Sequence, residues 1–468
     1  MRVAVVGLDA AGARCSALLR AEGHDVLTVR SAADPPVPTT AGTPTGSVPI
    51  AGFGPPRPGH RATAGEPDEV GDPAAVGGLA AVDDPAGVDA WIVAVPTPLR
   101  LALVRRLLRL DPAARVLLEQ PACPPGDLPV LLRLLTAHPR ARVLVNDIYA
   151  HSPAVRLFAR VLRDVSDSEP GGRIARVTVE FTKNRERDIA RGRFVDSHYG
   201  VAGYEWPHML AVVRAILPPG EYESYLRTPP VLVTPEMRVV GGGGPRLPEI
   251  ELYSSVRGRI GFPRIAGDSF RYPLARRRIA RGHIPYGSEL RYRFADVVLT
   301  SGTRVTLVFE PHYQTGQDYK NTHAVHVRDA AGHRTHLVTG NHLREALLDG
   351  LDALTADTPR PDAPGFAAPG PDAPVRDAPV RDAPGPDAPV HDVVPGPDGR
   401  GARRDLSGLR LPEHYHLAAL AGCGADAQAD EAGTCRPANH RRRRREDRPS
   451  PWPAASARAE GRDDRLTG

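Results

Sequence analysis

At 468 residues the chain exceeds one ordinary domain, and its 50 Pro and 46 Gly against 41% hydrophobic and 5% aromatic residues mean that part of it is too poor in core-forming side chains to pack. A net charge of +5 excludes a strongly basic nucleic-acid binder on composition. Cys15, Cys123, Cys423 and Cys435 lack the spacing of a disulfide framework, which points to a reducing compartment. The first apolar run stops at Gly7, too short for a signal peptide or a membrane span, so a cytoplasmic location is expected.

Residues 2–7 (RVAVVG) predict a strand ending at glycine, Ala11 to Glu22 a helix stopped by Gly23, and Asp25 to Val29 a second strand, which completes a β-α-β unit. Residues 32–83 are rich in Pro, Gly and Thr without periodicity and predict a long loop or insertion. Beyond it, Trp91 to Val95 and Val116 to Leu118 predict buried strands, Leu99 to Leu110 and Asp127 to Ala137 helices, and Ala141 to Val145 another strand. Strands alternating with helices over 1–150 predict an α/β, doubly wound parallel sheet.

From residue 172 the pattern changes to strand-like runs at Arg173 to Thr182, Val231 to Val240, Glu249 to Ile260, Leu290 to Leu299, Thr303 to Glu310, Ala324 to Arg328 and Thr335 to Val338. Val201 to Leu217 is the main expected helix and Leu343 to Leu354 the closing one. Residues 151–355 therefore predict an α+β domain on a large, open, mainly antiparallel sheet. The PDAP and VRDAP repeats make 356–404 a disordered linker, 405–421 a docking helix and 422–468 a disordered tail that includes five consecutive arginines.

The first β-α turn places Gly7, Asp9 and Gly12 at the three positions of a G-x-G-x-x-G fingerprint, with Leu8 in the same loop. Asp9 puts a carboxylate where a pyrophosphate would approach the helix N-terminus, and like charges there repel. Arg30-Ser31 ends the second strand where an acidic residue would bind a ribose hydroxyl, so a 2'-phosphate, and hence NADP over NAD, is favoured.

Six segments in order carry a resemblance: VAVVG, VDAWIVAVPTPLR (88–100), VLLEQPACPPGDLPVLLRLL (116–135), IYAHSPAVRLF (148–158), GRIARV (172–177) and GYEWPHMLAVV (203–213). Over residues 1–355 the chain resembles the Gfo/Idh/MocA-type oxidoreductases, which pair a Rossmann domain with an open-sheet α+β domain. The resemblance implies that Pro96 and Thr97 lie beside the nicotinamide ribose and that Glu119-Gln120-Pro121 stands where the family has Glu-Lys-Pro. Gln120 can hydrogen-bond a hydroxyl, yet it has no charge to stabilise an alkoxide.

His208 falls on the family's acid/base histidine. The usual Asp four residues earlier is Tyr204 here, so Glu205, at i−3, is expected to orient the imidazole, with Pro207 in the first helical turn. Lys183 is one of two lysines beside 58 arginines and is placed to supply the cation that Gln120 lacks. Tyr149, Tyr204 and Asn184 are expected to touch substrate.

Histidines at 323, 326, 333 and 336 sit in strands at spacings that serve joint ligands poorly, so no metal is expected. The function implied is hydride transfer between NAD(P) and a CH–OH carbon of a sugar, cyclitol or related polyol, by a homo-oligomer. Because Asp9, Gln120 and Tyr204 depart from the pattern, the alternative is a catalytically silent relative that binds a ligand or protein partner.

Overall fold

The computed structural model describes residues 1–7, 10–30, 85–170, 172–190, 200–228, 231–234, 238–243, 247–314, 319–356, 410, 413, 416 and 417, with the backbone alone for 10, 86, 200–204, 231–234 and 238–240. The expected loop at 32–83 and the disordered tail at 422–468 lie outside these residues, as does nearly all of the expected linker at 356–404.

The chain opens with β1 (Arg2–Val6), α1 (Ala10–Ala21) and β2 (Asp25–Val29), then β3 (Ala90–Val93), α2 (Thr97–Leu110), β4 (Arg115–Glu119), α3 (Leu128–Ala137) and β5 (Arg142–Asn146). The five strands pair in parallel in the order β2-β1-β3-β4-β5. Both faces of this sheet are covered, which is why its strands read as continuous apolar runs. On one face Val6, Trp91, Val93 and Leu118 pack against α2 and α3; on the other, Val3, Val5, Ile92 and Leu117 pack against α1 and the last helix of the domain. Full burial of each such side chain contributes about 1.5–3 kcal/mol.

After β5 come α4 (Pro153–Ser168), β6 (Ile174–Lys183), α5 (Glu186–Ala190), α6 (Gly200–Ile216) and α7 (Pro219–Arg227). Ser152 caps α4, its Oγ accepting from the Val155 N–H at 3.3 Å, and Pro153 occupies the first helical position. Next are β7 (Val231–Thr234), β8 (Arg238–Gly242), β9 (Glu249–Ser255), α8 (Pro263–Ala266), α9 (Pro273–Ala280), β10 (Arg291–Leu299), β11 (Arg304–Phe309), β12 (Thr322–Asp329), β13 (Gly332–Thr339) and α10 (His342–Thr355).

Strands β6 to β13 form an eight-stranded sheet in the order β13-β12-β11-β10-β6-β9-β8-β7, antiparallel except for β6 with β9. The molecule is thus α/β, with a Rossmann-like parallel sheet followed by an open, mainly antiparallel one, as the sequence predicted. One face of the large sheet carries Val177, Val179, Phe181, Ala295 and Leu307 against α4 and α6. The opposite face carries Tyr292, Phe294 and Val308 beneath α8 and α9.

Three expectations are corrected. Val231 to Val240 is two strands, β7 and β8, paired antiparallel. Strand β9 ends at Ser255 rather than Ile260, because the backbone turns through Gly258 at φ +80, where a Cβ would meet the Ile284 carbonyl at 2.5 Å. Helices are also more numerous than expected, since α4, α5, α7, α8 and α9 were not anticipated as helices.

Helix α10 returns to the parallel sheet antiparallel to β5. Arg142, at the start of β5, donates to the Leu354 carbonyl at 3.0 Å, near the C-terminus of α10. The N-terminus of α10 consequently lies at the opposite end, beyond the C-terminal edge of β5.

Candidate functional site

Ligands of open α/β sheets sit beyond the carboxyl ends of the strands, and here that edge is built by Gly7, Ala94, Pro96, Glu119, Gln120 and Asn146. Gly7 has φ +99, and a Cβ on it would lie 2.6 Å from the Ala94 carbonyl oxygen. A Cβ on Gly12 would overlap the Gly7 carbonyl. Both positions therefore demand glycine, one for the turn and the other for the close approach of α1 to β1. Leu8, Asp9 and Ser31 lie outside the described residues, and Arg30 is exposed at the end of β2.

Pro96 precedes α2 and Thr97, 1% exposed, begins it. Buried Arg100 ties this edge together: its Nε donates to the Val95 carbonyl at 2.8 Å, and its Nη1 donates to the carbonyls of Glu119, at 2.7 Å, and of Pro121. The Gln120–Pro121 peptide is cis. Glu119 Oε1 accepts from Asn146 Nδ2 at 2.8 Å, joining the ends of β4 and β5. Gln120 Oε1 and Asn146 Oδ1 are buried and have no hydrogen-bond partner among the described residues. An orphaned buried acceptor carries a desolvation cost of about 1–3 kcal/mol, so two of them on one edge mark a place where a donor belongs.

Beyond β5, Tyr149 is 5% exposed and forms the hub of a ring cluster. His208 of α6 lies 4.8 Å from it, His342 at the start of α10 stacks on it at 5.0 Å and 27°, and Phe181 and Phe309 pack at 5.1 and 5.3 Å. His323 of β12 extends the row, 4.5 Å from His342. The Tyr149 hydroxyl accepts from Arg293 Nη1 at 2.8 Å. Burial raises its pKa above the ordinary phenol value despite Arg293, so it is protonated at neutral pH.

His208 is partly exposed, but its Nδ1 is buried without a partner among the described residues. Burial pulls the imidazole down to about 4 against the upward effect of Glu205. Glu205 does not orient it as expected. Its carboxylate, 2% exposed, accepts from Arg185 Nη2 at 2.8 Å and from Arg293 Nη2 at 2.9 and 2.8 Å on its two oxygens. Burial pushes that carboxyl up, but Arg293 and Arg185 outweigh it and hold it at about 2. Two guanidinium forks compete more strongly for a carboxylate than one neutral imidazole does. Pro207 lies inside α6 rather than in its first turn.

Lys183 ends β6 on the same face as Phe181 and is 5% exposed. It pairs with Asp188 at 3.3 Å, and burial, with Arg185 and Arg291 nearby, lowers its pKa. Asn184, expected to touch substrate, is engaged within the chain. Its Nδ2 donates to the carbonyls of Arg257 and Ile284 at 3.3 and 3.1 Å and its Oδ1 accepts from the Glu186 N–H at 3.1 Å, so this side chain closes a loop. The Tyr204 side chain is not among those described.

Arg100, Arg293 and His342 were missed from sequence, whereas His323 was singled out there among the strand histidines. The alternation of RYRFADVVL carried a signal for one of them. It sets Arg293 on the inward face with Ala295 and Val297, and a guanidinium held among apolar neighbours requires a buried partner.

No family model matches the sequence, and no curated protein does. Solved structures that the chain overlaps include a UDP-N-acetylglucosamine 3-dehydrogenase from Acidithiobacillus ferrooxidans, at 13% identity and TM-score 0.43, covering 77% of this chain and 90% of that one. A 3-ketoreductase from Actinomadura kijaniata, solved with NADP and TDP-benzene, overlaps at 14% identity and TM-score 0.45, covering 77% and 92%. An oxidoreductase from Agrobacterium radiobacter, solved with NAD+, L-tartaric acid and magnesium, overlaps at 12% and 0.46, covering 76% and 88%. Overlaps at this identity and TM-score bear on neither the activity nor the substrate of this chain.

Proposed function

We propose that the protein is an NAD(P)-dependent oxidoreductase acting on a CH–OH carbon of a sugar, cyclitol or related polyol. The reading is supported by three features at the C-terminal ends of the parallel strands: the glycine turn after β1, Gln120 with its orphaned Oε1 after β4, and Tyr149 after β5 with His208 packed on its ring. That edge fits a nicotinamide dinucleotide, because it has a cradle that any Cβ would fill and unpaired acceptors beside it. Gly7, Leu8, Asp9, Gly12, Arg30, Ser31, Pro96, Thr97 and Glu119 would hold the cofactor, with NADP favoured through Arg30. When bound, the nicotinamide supplies the hydride acceptor or donor.

His208 takes the hydroxyl proton. With its pKa near 4 it is neutral at pH 7, the form that accepts a proton. Gln120 orients the hydroxyl through its amide, and Tyr149 stands beside the substrate. Glu205 acts on His208 only through the charge it shares with Arg185 and Arg293. Lys183, paired with Asp188, would supply the cation that Gln120 lacks.

The second reading is a silent relative that binds ligand without turnover. It is favoured by the commitment of Glu205 to two arginines and by Gln120 in the place of a lysine. A panel of polyols and ketosugars, followed by the absorbance of reduced nicotinamide, separates the two. Turnover that is lost in His208→Ala supports the enzyme; ligand-induced thermal stabilisation with no turnover of any panel member supports the silent relative.

A further inference from the structure

Residues 357–409 lie outside the described residues, yet Arg410, Glu413, His416 and Leu417 beyond them are set against α6 and α7. Glu413 is 7% exposed and Leu417 2%. Arg214 of α6 donates to Glu413 Oε1 and, through its other terminal nitrogen, to Asp147 Oδ2. The Tyr222 hydroxyl of α7 donates to the same Glu413 oxygen at 2.7 Å, and Arg410 Nε lies 3.7 Å from Asp147 Oδ2. His416 Nδ1 is 3.3 Å from the Leu226 carbonyl, and Leu417 joins the apolar cluster that contains Trp206 and Met209.

Two carboxylates and two guanidinium groups thus form a chain, Glu413–Arg214–Asp147–Arg410, half from the body and half from the segment, and Asp147 and Arg214 keep each other if the segment leaves. The sequence joining the segment to α10 is built of PDAP and VRDAP repeats, which offer no apolar face to pack. Side-chain complementarity at 410–417 therefore has to hold the segment by itself, and the tether supplies an effective concentration on the order of millimolar.

We propose that the α6–α7 face is a peptide-docking surface whose occupant is this chain's own 410–417 segment, and that its occupancy fixes the stretch 147–149. Asp147 is the link. It is 2% exposed, it bonds the Arg214 that holds Glu413, and it stands two residues before Tyr149, the ring against which His208 packs. Docking depends only on the contacts above; the consequence for catalysis rests on the proposed function.

The test uses the full chain with a specific protease recognition sequence in place of residues 380–386, cut under native conditions and passed through size-exclusion chromatography. The expected result is co-elution of the C-terminal fragment with the body, and its separation in Glu413→Ala/Leu417→Asp while circular dichroism shows the body still folded. Separation of the unsubstituted fragment, or retention of the doubly substituted one, overturns the docking surface. Amide hydrogen exchange reads the coupling: exchange at 146–150 should be at least tenfold faster in the double variant, with β1 and α1 unchanged. Equal exchange at 146–150 overturns the link to the site. Neither readout needs cofactor or turnover, so a failure here is distinct from a failure of the oxidoreductase reading.

Discussion

Glu205 is the residue on which most of the site's charge depends. Replacing it with Gln leaves Arg293 buried without this carboxylate and Arg185 with Asp188 still at 3.5 Å, and breaking a buried pair from one side costs about 3–5 kcal/mol. Denaturant unfolding of Glu205→Gln should show a loss on that scale. The pH dependence has a definite sign. The Glu205 pKa is depressed to about 2 in the folded protein, so its stabilisation is present above the ordinary carboxylate range and is lost as pH falls towards 2. His208 is depressed as well, to about 4, so the folded state prefers the neutral ring, and stability drops as pH falls from about 6.5 towards 4. In a kcat/KM profile for alcohol oxidation, the acidic limb assigned to His208 should lie near 4; a limb at the ordinary imidazole value would contradict the site geometry.

At the scale of elements, the glycine turn and α10 carry separate predictions. Gly12→Ala places a Cβ onto the Gly7 carbonyl, so α1 must shift from β1 and the turn must open. The expected outcome is at least a tenfold loss of dinucleotide affinity measured by calorimetry, together with a lower melting temperature. Asn341 caps α10, its Oδ1 accepting from the N–H groups of Leu343 and Arg344 at 3.1 and 3.2 Å. Asn341→Ala should cost about 0.5–2 kcal/mol in chemical denaturation and loosen the His342 ring that stacks on Tyr149.

These elements also show what the sequence could reveal. The parallel sheet was legible because buried strands alternate with helices at short intervals, and β6, β10 and β11 because apolar residues recur every second position. Helix α4 was legible only as the motif IYAHSPAVRLF, although Ser152-Pro153 is a strong start signal. Gly7, Gly12, Glu119 and His208 could be located because local spacing places them. The partners of Glu205 could not, since Arg293 lies 88 residues away and meets it only once β10 aligns with β6. Nor could His342, which reaches Tyr149 because α10 crosses back onto the first sheet.

Across the whole molecule, the second sheet acts as the wall that closes the C-terminal edge of the first. Tyr149, immediately after β5, touches α6, β6, β11 and α10 through its ring contacts, so the two sheets are joined at the same place where the orphaned acceptors lie. No helix among the described residues is long and apolar enough to cross a membrane. The central claim is that this junction holds a nicotinamide dinucleotide. Calorimetric titration of the full chain with NADPH and then NADH tests it most directly. The account predicts saturable one-to-one binding, tighter for NADPH and weakened in Gly12→Ala; no heat from either nucleotide, with a protein shown to be folded, would contradict it.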